Sequence, residues 1–565
     1  MPTDAFEDSV DLEIDLLEVV APASPYPSLK TTGQKELRSF QTVILENAYL
    51  RVTILPEVGG RILSIFDKRT STEIMHAPTL LGTAGGRRGV SMHYAGMSLQ
   101  VDGTDRLNDF GPVDFQVEEP PEAVWIAETS GGTGLSFHLR IELPDERAEL
   151  VLEARVMNRT LRPVPYNGGL AFHLGWVAVD EEVAWSPHRK AGLRVHSEEL
   201  EHGQFLNGRV VRSRFSEMAT LGPRQVDVWK AVLTPFSGVE GLPLVANDVV
   251  AFVDETQIQV QATEPIAGAR ILLGLADGQT VEAPADLYPE HVLTIPLDDL
   301  PAAPVAIAIQ DADRKDRFRG EVKKMQAPPE PFLPGAEAPA GVGDPEVASL
   351  DEKGLRRLTF SPTHRAVAFL ELGHRALAVG EFREADELLE NALLYNADDP
   401  LTWWAKAMAR RLAGVEEESP ELPNAHYLAP MEPALRAEAF LAQSPNQGRE
   451  PNPLVAPLKD KPEALIEVAV LLLEIGVRGE ASRWIDEALR QRPVAMLHYL
   501  AAWSLLEGSR MRAEASLHLS AAGRLPFEPP YPWREIERRA LRDLVVAFPD
   551  DERLRSYAEL VVPSA

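Results

Sequence analysis

Residues able to do acid–base or hydrogen-bonding chemistry occur in three segments of the chain. His173 lies in PYNGGLAFHLGW, His93 lies in RRGVSMHYAGMSL, and Arg61 follows the glycine pair of LPEVGGRI. Histidine gives or takes a proton near neutral pH, and the planar guanidinium of arginine donates several hydrogen bonds. Each also has a structural alternative. A histidine can be satisfied by a backbone carbonyl, and this arginine can tie the glycine corner to a nearby Asp or Glu.

Three neighbouring residues could complete such a site. Tyr94 follows His93, and Asn167 and Trp176 stand on either side of His173. Aromatic rings stack on flat ligand faces while keeping a polar tip, and an asparagine amide binds hydroxyl groups. Core packing is the alternative for Trp176.

Other chemistries lack support in the sequence. The chain has no cysteine, which excludes disulfides, thiolate metal sites and cysteine nucleophiles. GTAGGRRG lacks the Lys-Ser/Thr ending of a phosphate loop, and no G-x-S-x-G motif supports a catalytic serine. The spacing of His196 and His202 puts them on different faces of a helix. We therefore predict no cofactor and no metal.

Bulk properties narrow the class of protein. The chain has 565 residues and a formal net charge of −30. Such a length implies about two to four domains, and the charge disfavours nucleic acid and anionic membranes as partners. No apolar run is long enough to span a bilayer, and the start, MPTDAFEDSVDLEIDL, is acidic where a signal peptide is basic. We expect a cytoplasmic protein.

The elements that must position the candidate residues are strands. In ENAYLRVTILPEVGGRILSIFDKRTSTEIM, residues 46–75, two extended apolar runs meet at a glycine corner and end in a polar turn, which predicts a hairpin. Strand-like segments separated by turn residues continue, so residues 41–243 are predicted to form a large antiparallel sandwich. Residues 1–40 are an acidic N-terminal extension whose alternating Val10, Leu12 and Ile14 are consistent with a short strand.

Three further segments follow. Residues 244–322 are a β-rich module with a hairpin signal at Asp277-Gly278; this module either completes the large sandwich or forms a separate immunoglobulin-like one. Residues 323–350 have the Pro, Gly, Ala and Glu content of a linker. Residues 351–565 are predicted to be helical. Residues 363–400, 462–493 and 494–526 place small residues at the offsets of a tetratricopeptide repeat, whose period is about 34 residues.

The E-N-x-x-L-x-V-x-x-L-P-E-x-G-G-R-I pattern of the hairpin resembles the opening hairpin of galactose-mutarotase-like (aldose-epimerase-like) proteins. The chain is most similar to an uncharacterised bacterial family that joins such a domain to C-terminal tetratricopeptide repeats. The resemblance implies an antiparallel β-supersandwich whose concave sheet binds a pyranose. It also implies that a histidine protonates the ring oxygen while a carboxylate takes the anomeric hydroxyl proton.

On this resemblance His173 and His93 are the catalytic candidates, and the substrate-binding candidates are Arg61, Tyr94, Asn167 and Trp176. The chain departs from the family pattern G-G-V-E-F-N-x-P, because Ser91 or Met92 stands where the family has its glutamate and His93 stands where it has asparagine. A carboxylate must then come from elsewhere. Glu282, Asp286 and Glu290 lie where a full-length mutarotase places a late glutamate, and no motif selects among them.

Three functions remain open. The first is acid–base chemistry at an anomeric centre on a sugar or glycoside. The second is glycan recognition without catalysis. The third is an interaction scaffold, in which the repeats bind a protein partner or another copy of the chain. The sequence favours the first two for the sandwich and does not separate them.

Overall fold

The computed structural model has a β-rich N-terminal part and a helical C-terminal part. The large sandwich comprises β1–β20, the small sandwich comprises β21–β28, and the helical part comprises α1–α12. The structure describes residues 2–21, 28–75, 80–81, 96–101, 113–118, 122–129, 134–173, 178–180, 182–186, 188–206, 209–246, 248–254, 256–297, 300–322, 347–415, 421–443, 451–506, 512–526 and 531–561.

The strands of the large sandwich are β1 Asp4–Ala21, β2 Ser28–Glu46, β3 Leu50–Leu55, β4 Arg61–Asp67, β5 Thr72–Glu73, β6 Leu80–Leu81, β7 Met97–Gln100, β8 Asp114–Glu118, β9 Ala123–Thr129, β10 Leu135–Glu142, β11 Leu150–Asn158, β12 Val164–Tyr166, β13 Gly169–His173, β14 Ala178–Asp180, β15 Val183–Ser186, β16 Ala191–His196, β17 His202–Leu206, β18 Arg209–Ser213, β19 Ala219–Leu221 and β20 Val226–Ser237.

Two sheets form most of the large sandwich, and β12 and β19 pair in a third, two-stranded sheet. The first has ten strands in the order β17-β18-β13-β7-β4-β3-β2-β1-β6, with β5 also paired to β4. The second has eight strands in the order β14-β15-β16-β20-β11-β10-β9-β8. The core lies between the sheets, where Val52, Ile54 and Ile62 pack in one cluster with Phe137 and Trp229. Val52 and Ile54, two residues apart in β3, thus both turn to this core.

The other face of the ten-stranded sheet, which we call the outer face, is also partly apolar. Leu12, Ile14 and Phe40 cluster there with Leu55, Val58 and Leu63. Leu12, Ile14 and Phe40 belong to residues 1–40, the predicted acidic extension. That segment contributes most of an antiparallel hairpin of 18- and 19-residue strands to the sheet, far longer than the short strand its alternation suggested.

The small sandwich has its own core. Its strands form two four-stranded sheets, β21-β22-β23-β26 and β25-β24-β27-β28, and Ile258, Ile271 and Ile309 lie in a cluster separate from that of the large sandwich. The strand bounds are β21 Leu244–Val245, β22 Val249–Val253, β23 Gln257–Ala262, β24 Ile266–Leu275, β25 Thr280–Leu287, β26 Leu293–Pro296, β27 Pro304–Gln310 and β28 Asp316–Glu321.

The helical part packs in two layers. Helices α2, α4, α6, α7, α9 and α11 contact one another and form what we call the inner layer, while α3, α8 and α10 pack behind them. Left-handed glycines, Gly380 and Gly476, end α2 and α7. The bounds are α1 Glu352–Leu358, α2 Arg365–Val379, α3 Phe382–Tyr395, α4 Pro400–Leu412, α5 Glu421–Leu428, α6 Pro433–Leu441, α7 Pro462–Ile475, α8 Arg478–Gln491, α9 Ala495–Leu506, α10 Arg512–Ala522, α11 Glu535–Ala547 and α12 Glu552–Val561. Within the described residues, none of the helices has the length and apolar character needed to cross a bilayer.

Candidate functional site

Three adjacent strands of the ten-stranded sheet carry the predicted site segments. Arg61 begins β4 and His173 ends β13, and β7 lies between these two strands. Residues 93, 94 and 176 lie outside the described residues, as does the side chain of His173. The structure therefore describes the backbone around the predicted site together with the side chains of Arg61 and Asn167.

Backbone register fixes how far apart Arg61 and His173 are. Ile62 pairs with Met97, and Met97 pairs with Phe172. Arg61 precedes this row of three residues and His173 follows it, on strands that run in the same direction. With strands about 4.8 Å apart and about 3.3 Å of rise per residue, the two Cα atoms are roughly 12 Å apart. That separation is compatible with one ligand between two side chains.

Arg61 belongs to the outer face of the sheet. It pairs with Leu55 across β3 and β4, and directly opposed residues in an antiparallel pair project to the same side. Leu55 lies in the outer apolar cluster. Only 2% of Arg61 is exposed to solvent, so its guanidinium is held within the protein rather than free on the surface.

A glycine corner places Arg61 at this position. Gly59 and Gly60 have φ values of 72° and 67°, in the left-handed region where a side chain costs energy. A Cβ atom on Gly60 would lie 2.6 Å from Cδ1 of Ile126 and 2.9 Å from Cγ2 of Val113. The glycine pair therefore provides backbone geometry and close packing, and β4 starts directly after it.

A β-bulge in β4 then brings a polar group to the outer face. Thr53 opposes Ser64 and Ile54 opposes Ile62, which leaves Leu63 as the extra residue. Thr53 alternates with the core residues Val52 and Ile54, so Thr53 and Ser64 face outward. Bulges redirect side chains in this way.

Glu73 is a functional candidate that sequence reasoning missed. Its carboxylate accepts hydrogen bonds from the hydroxyl of Ser64, the N–H of Ile65 at 3.1 Å and the N–H of Met75 at 2.9 Å. Burial raises the pKa of Glu73, and the hydrogen bonds from Ser64, Met75 and Ile65 and the charge of Arg189 oppose that rise without cancelling it. The half-buried carboxyl thus titrates above its usual range, which suits a group that transfers protons.

Little in the sequence singles out Glu73. It lies in the return strand after the turn of DKRTSTEIM. Polar residues are common between a turn and an apolar segment, so the residue type gives no functional signal. The signal is its pairing with β4, because Phe66 opposes Glu73 and this places the carboxylate beside Ser64.

Asn167 makes a closed amide pair with the backbone. Its Nδ2 donates to the carbonyl of Phe215 at 3.0 Å, and its Oδ1 accepts from the N–H of Phe215 at 3.1 Å. It is 8% exposed. The amide ties the start of β13 to the segment after β18, and its predicted contact with substrate stays a prediction.

The late carboxylates belong to a different module. Glu282 and Asp286 lie in β25 of the small sandwich, where Glu282 pairs with Arg270 and Asp286 accepts the N–H of Gly268. Glu290 follows that strand and is exposed. Among the described residues, no group of three or more His, Asp or Glu side chains could hold a metal ion.

Comparison with known proteins places a family match over the candidate site. Residues 18–167 match the model of a domain of unknown function, DUF5107, a span that includes β4, β5 and β7.

Solved structures that match this chain with low similarity include a TPR-domain protein and galactose mutarotase-like proteins. A TPR-domain containing protein from Parabacteroides distasonis has 12% identity and a TM-score of 0.38, covering 100% of this chain and 96% of its own. A galactose mutarotase-like protein from Lactobacillus casei has 10% identity and a TM-score of 0.27, covering 34% of this chain and 100% of its own. A galactose mutarotase-like protein from Clostridium acetobutylicum has 10% identity and a TM-score of 0.24, covering 35% and 96%. Similarity at this level assigns no activity to the chain.

Proposed function

We propose that the large sandwich is a galactose-mutarotase-like domain that binds a sugar or glycoside on the outer face of its ten-stranded sheet. The helical part is then a tetratricopeptide-repeat array. One observation carries the sugar site: Arg61 and the Ser64–Glu73 pair lie on the same face of β4. Arg61 and Ser64 are three residues apart, or roughly 10 Å along the strand, which a sugar ring with its hydroxyls can bridge.

The proposed roles follow from the chemistry of each group. Arg61 donates hydrogen bonds to sugar hydroxyls through its planar guanidinium. Ring opening at an anomeric centre needs one group that protonates the ring oxygen and another that takes the hydroxyl proton. His173 is the proposed acid. Glu73, with its raised pKa, is the proposed base in place of the carboxylate absent at Ser91.

A glycan-binding protein without catalysis is the alternative within the same site. Three hydrogen bonds to the Glu73 carboxylate also suit a structural role, in which the group holds β5 against β4. In that case Arg61 is needed to bind the glycan, and the bound sugar exchanges anomers at the uncatalysed rate.

The test measures binding of monosaccharides and methyl glycosides to the full chain by saturation-transfer NMR and calorimetry. We expect Arg61→Ala to weaken binding of any sugar that the wild type binds by about 10-fold or more. Arg319→Ala is the matched control, because Arg319 lies in β28 of the small sandwich and pairs with Asp316 at the surface. Absence of binding to the wild type, or equal binding by Arg61→Ala, would overturn the proposal.

Self-association through the helices is a second candidate function. Two apolar side chains project from the layer behind the inner one: Leu394 of α3 is 67% exposed and Leu517 of α10 is 70% exposed. Exposed apolar side chains on a helical array suit a protein contact. The mass of the full chain in light scattering tests this, and a concentration-independent monomer contradicts it.

A further inference from the structure

Buried charges gather where the inner layer of helices meets the large sandwich. The sandwich contributes Arg159, just after β11, and Arg224, just before β20. The helices contribute Asp399, Glu432 and Glu467, all between 0% and 6% exposed. A buried charge is tolerated when it is paired and hydrogen-bonded.

Arg159 binds two carboxylates from two helices. Its Nε donates to Oε1 of Glu467 at 3.0 Å, and its Nη1 and Nη2 donate to the two oxygens of Glu432 at 2.5 and 3.2 Å. Burial by itself lowers the pKa of Arg159, but attraction to Glu432 and Glu467 outweighs burial and the pKa is raised. Arg534, before α11, pairs with Glu467 from the other side.

Arg224 makes the second contact. Its Nε and Nη2 donate to the carboxylate of Asp399 at 3.1 and 3.3 Å, and its Nη1 donates to the carbonyl of Arg159 at 2.8 Å. The side chain of Asn396 donates to the carbonyl of Arg224 at 2.8 Å. The φ of Arg224 is +57°, a conformation that a non-glycine residue holds only when its surroundings compensate.

The acceptor carboxylates are also helix caps. Asp399 caps α4 and accepts the N–H of Leu401, while Glu432 caps α6 and accepts the N–H of Ala434. Their positions are therefore fixed by the helices themselves. A guanidinium meets acceptors that are already oriented, as at a preformed binding site.

Apolar side chains surround these ion pairs. Met157 belongs to the apolar cluster of the helical part, and Leu161 and Val226 pack against that cluster. Met431 in turn packs with Trp125 and Ala127 of β9. Sandwich and helices thus share apolar contacts that exclude water from these ion pairs.

We infer that the inner layer of helices is an arginine-binding surface whose occupant is this chain's own large sandwich. The predicted linker, residues 323–350, is shorter than expected, because Val347 is buried in a cluster with Leu355, against which Leu161 packs. On this inference the two parts stay together when the chain is cut within residues 323–346. An arginine-bearing segment of another protein can bind this surface only if it displaces Arg159 and Arg224. This inference is independent of the sugar site.

The test cuts the chain and asks whether its parts separate. A protease recognition sequence is inserted within residues 323–346, the full-length protein is cleaved under native conditions, and a denaturing gel verifies the cut. We expect the two fragments to elute together in gel filtration in about 0.15 M and about 1 M NaCl, because buried ion pairs are only weakly screened by salt. Separation of the cleaved wild-type fragments at micromolar concentration would overturn the inference.

Charge variants of the insertion protein test the arginines. Arg159→Ala combined with Arg224→Ala should weaken fragment association by about 100-fold or more. Arg159→Lys with Arg224→Lys keeps both charges, and should retain association better than the alanine pair. Arg270→Ala, in the small sandwich, is the matched control and should co-elute as the wild type does. Equal association in the wild type and in the folded alanine variant contradicts a role for the arginines.

Discussion

Arg224 donates from Nε and Nη2 to both carboxylate oxygens of Asp399, at 3.1 and 3.3 Å. The pair joins the loop before β20 to the first turn of α4, and Asp399 is fully buried. Two parts of the chain that the sequence predicts as separate domains are thus connected by a charge pair inside the protein.

Removing the arginine of this pair should destabilise the protein strongly. Arg224→Ala leaves the Asp399 carboxylate buried without its cation, which costs about 3–5 kcal/mol. The free energy of unfolding from urea titration measures this. Arg314→Ala is the matched control, since Arg314 also has a positive φ, 63°, and is exposed; it should change stability by less than about 0.5 kcal/mol. Similar losses in the two variants would mean that the ion pair does not govern the stability of the site.

Replacing the amide nitrogen of Asn158 by oxygen should destabilise the protein strongly. This nitrogen, Nδ2, donates to the carbonyls of Arg162, Leu221 and Gly222, at 2.6, 3.0 and 2.9 Å. Asn158→Asp places a carboxylate against three carbonyl oxygens at a buried position, and should cost about 3 kcal/mol or more. Thermal and urea unfolding measure the loss. Asn391→Asp, on exposed α3, should stay within about 0.5 kcal/mol, and a comparable loss there would refute the reasoning.

His138 should make the protein acid-sensitive. Burial lowers its pKa from 6.5 to about 4, with nearby Arg159 and Arg155 acting the same way and Glu432 opposing. The unfolded chain takes up the proton below pH 6.5 while the folded protein does not until about pH 4. Stability therefore falls as the pH drops through that window, by about 3 kcal/mol in all.

His138→Gln removes the contribution of this histidine to the pH dependence of stability. The free energy of unfolding of the variant should therefore depend less on pH between 6.5 and 4 than that of the wild type. Urea titrations at several pH values provide the measurement. Ser136→Ala is the control, because Ser136 is buried in the same strand and carries no titrating group. An unchanged pH slope in His138→Gln would show that this histidine does not govern acid sensitivity.

Gly60 should tolerate alanine much less well than Gly278 does. Both have positive φ, 67° and 86°. A Cβ on Gly60 collides with Ile126 and Val113, whereas nothing lies within 4 Å of one on Gly278. Gly278→Ala should cost about 1 kcal/mol from the backbone alone, and Gly60→Ala should cost clearly more. Equal melting temperatures in the two variants would rule out close packing as the reason for Gly60.

Catalysis and recognition can be separated with a sugar that the protein binds. If the site exchanges anomers, His173→Ala and Glu73→Gln should each reduce the acceleration of mutarotation by about 100-fold or more, while binding persists. Polarimetry and NMR exchange spectroscopy measure the rate. Arg319→Ala, in the small sandwich, should leave the rate unchanged. A wild type that binds sugar and accelerates nothing would leave recognition as the function.

Local patterns made parts of the fold predictable. The hairpin of β3 and β4 follows from alternating apolar residues around a glycine corner, and Gly380 and Gly476 mark the ends of α2 and α7. The length of β1 and β2 could not be predicted from the sequence, because their many polar residues do not show which side chains are buried. Arg159 and Arg224 look like surface residues in sequence, since their partners lie in helices far along the chain. Glu73 gains its raised pKa only from the fold around Ser64 and β4.

The distance in sequence between ion partners has a consequence for how the protein is made. Arg159 is 273 residues from Glu432 and 308 residues from Glu467. At about 5–20 residues per second, a ribosome needs roughly 15 to 60 s to add the stretch from Arg159 to Glu467. Until Asp399 and Glu432 have been added, the nascent sandwich carries Arg224 and Arg159 without these acceptors. The β-rich part therefore reaches its final stability only after α7 has been synthesised, and any product that stops before Asp399 retains two cations at a site built to be buried.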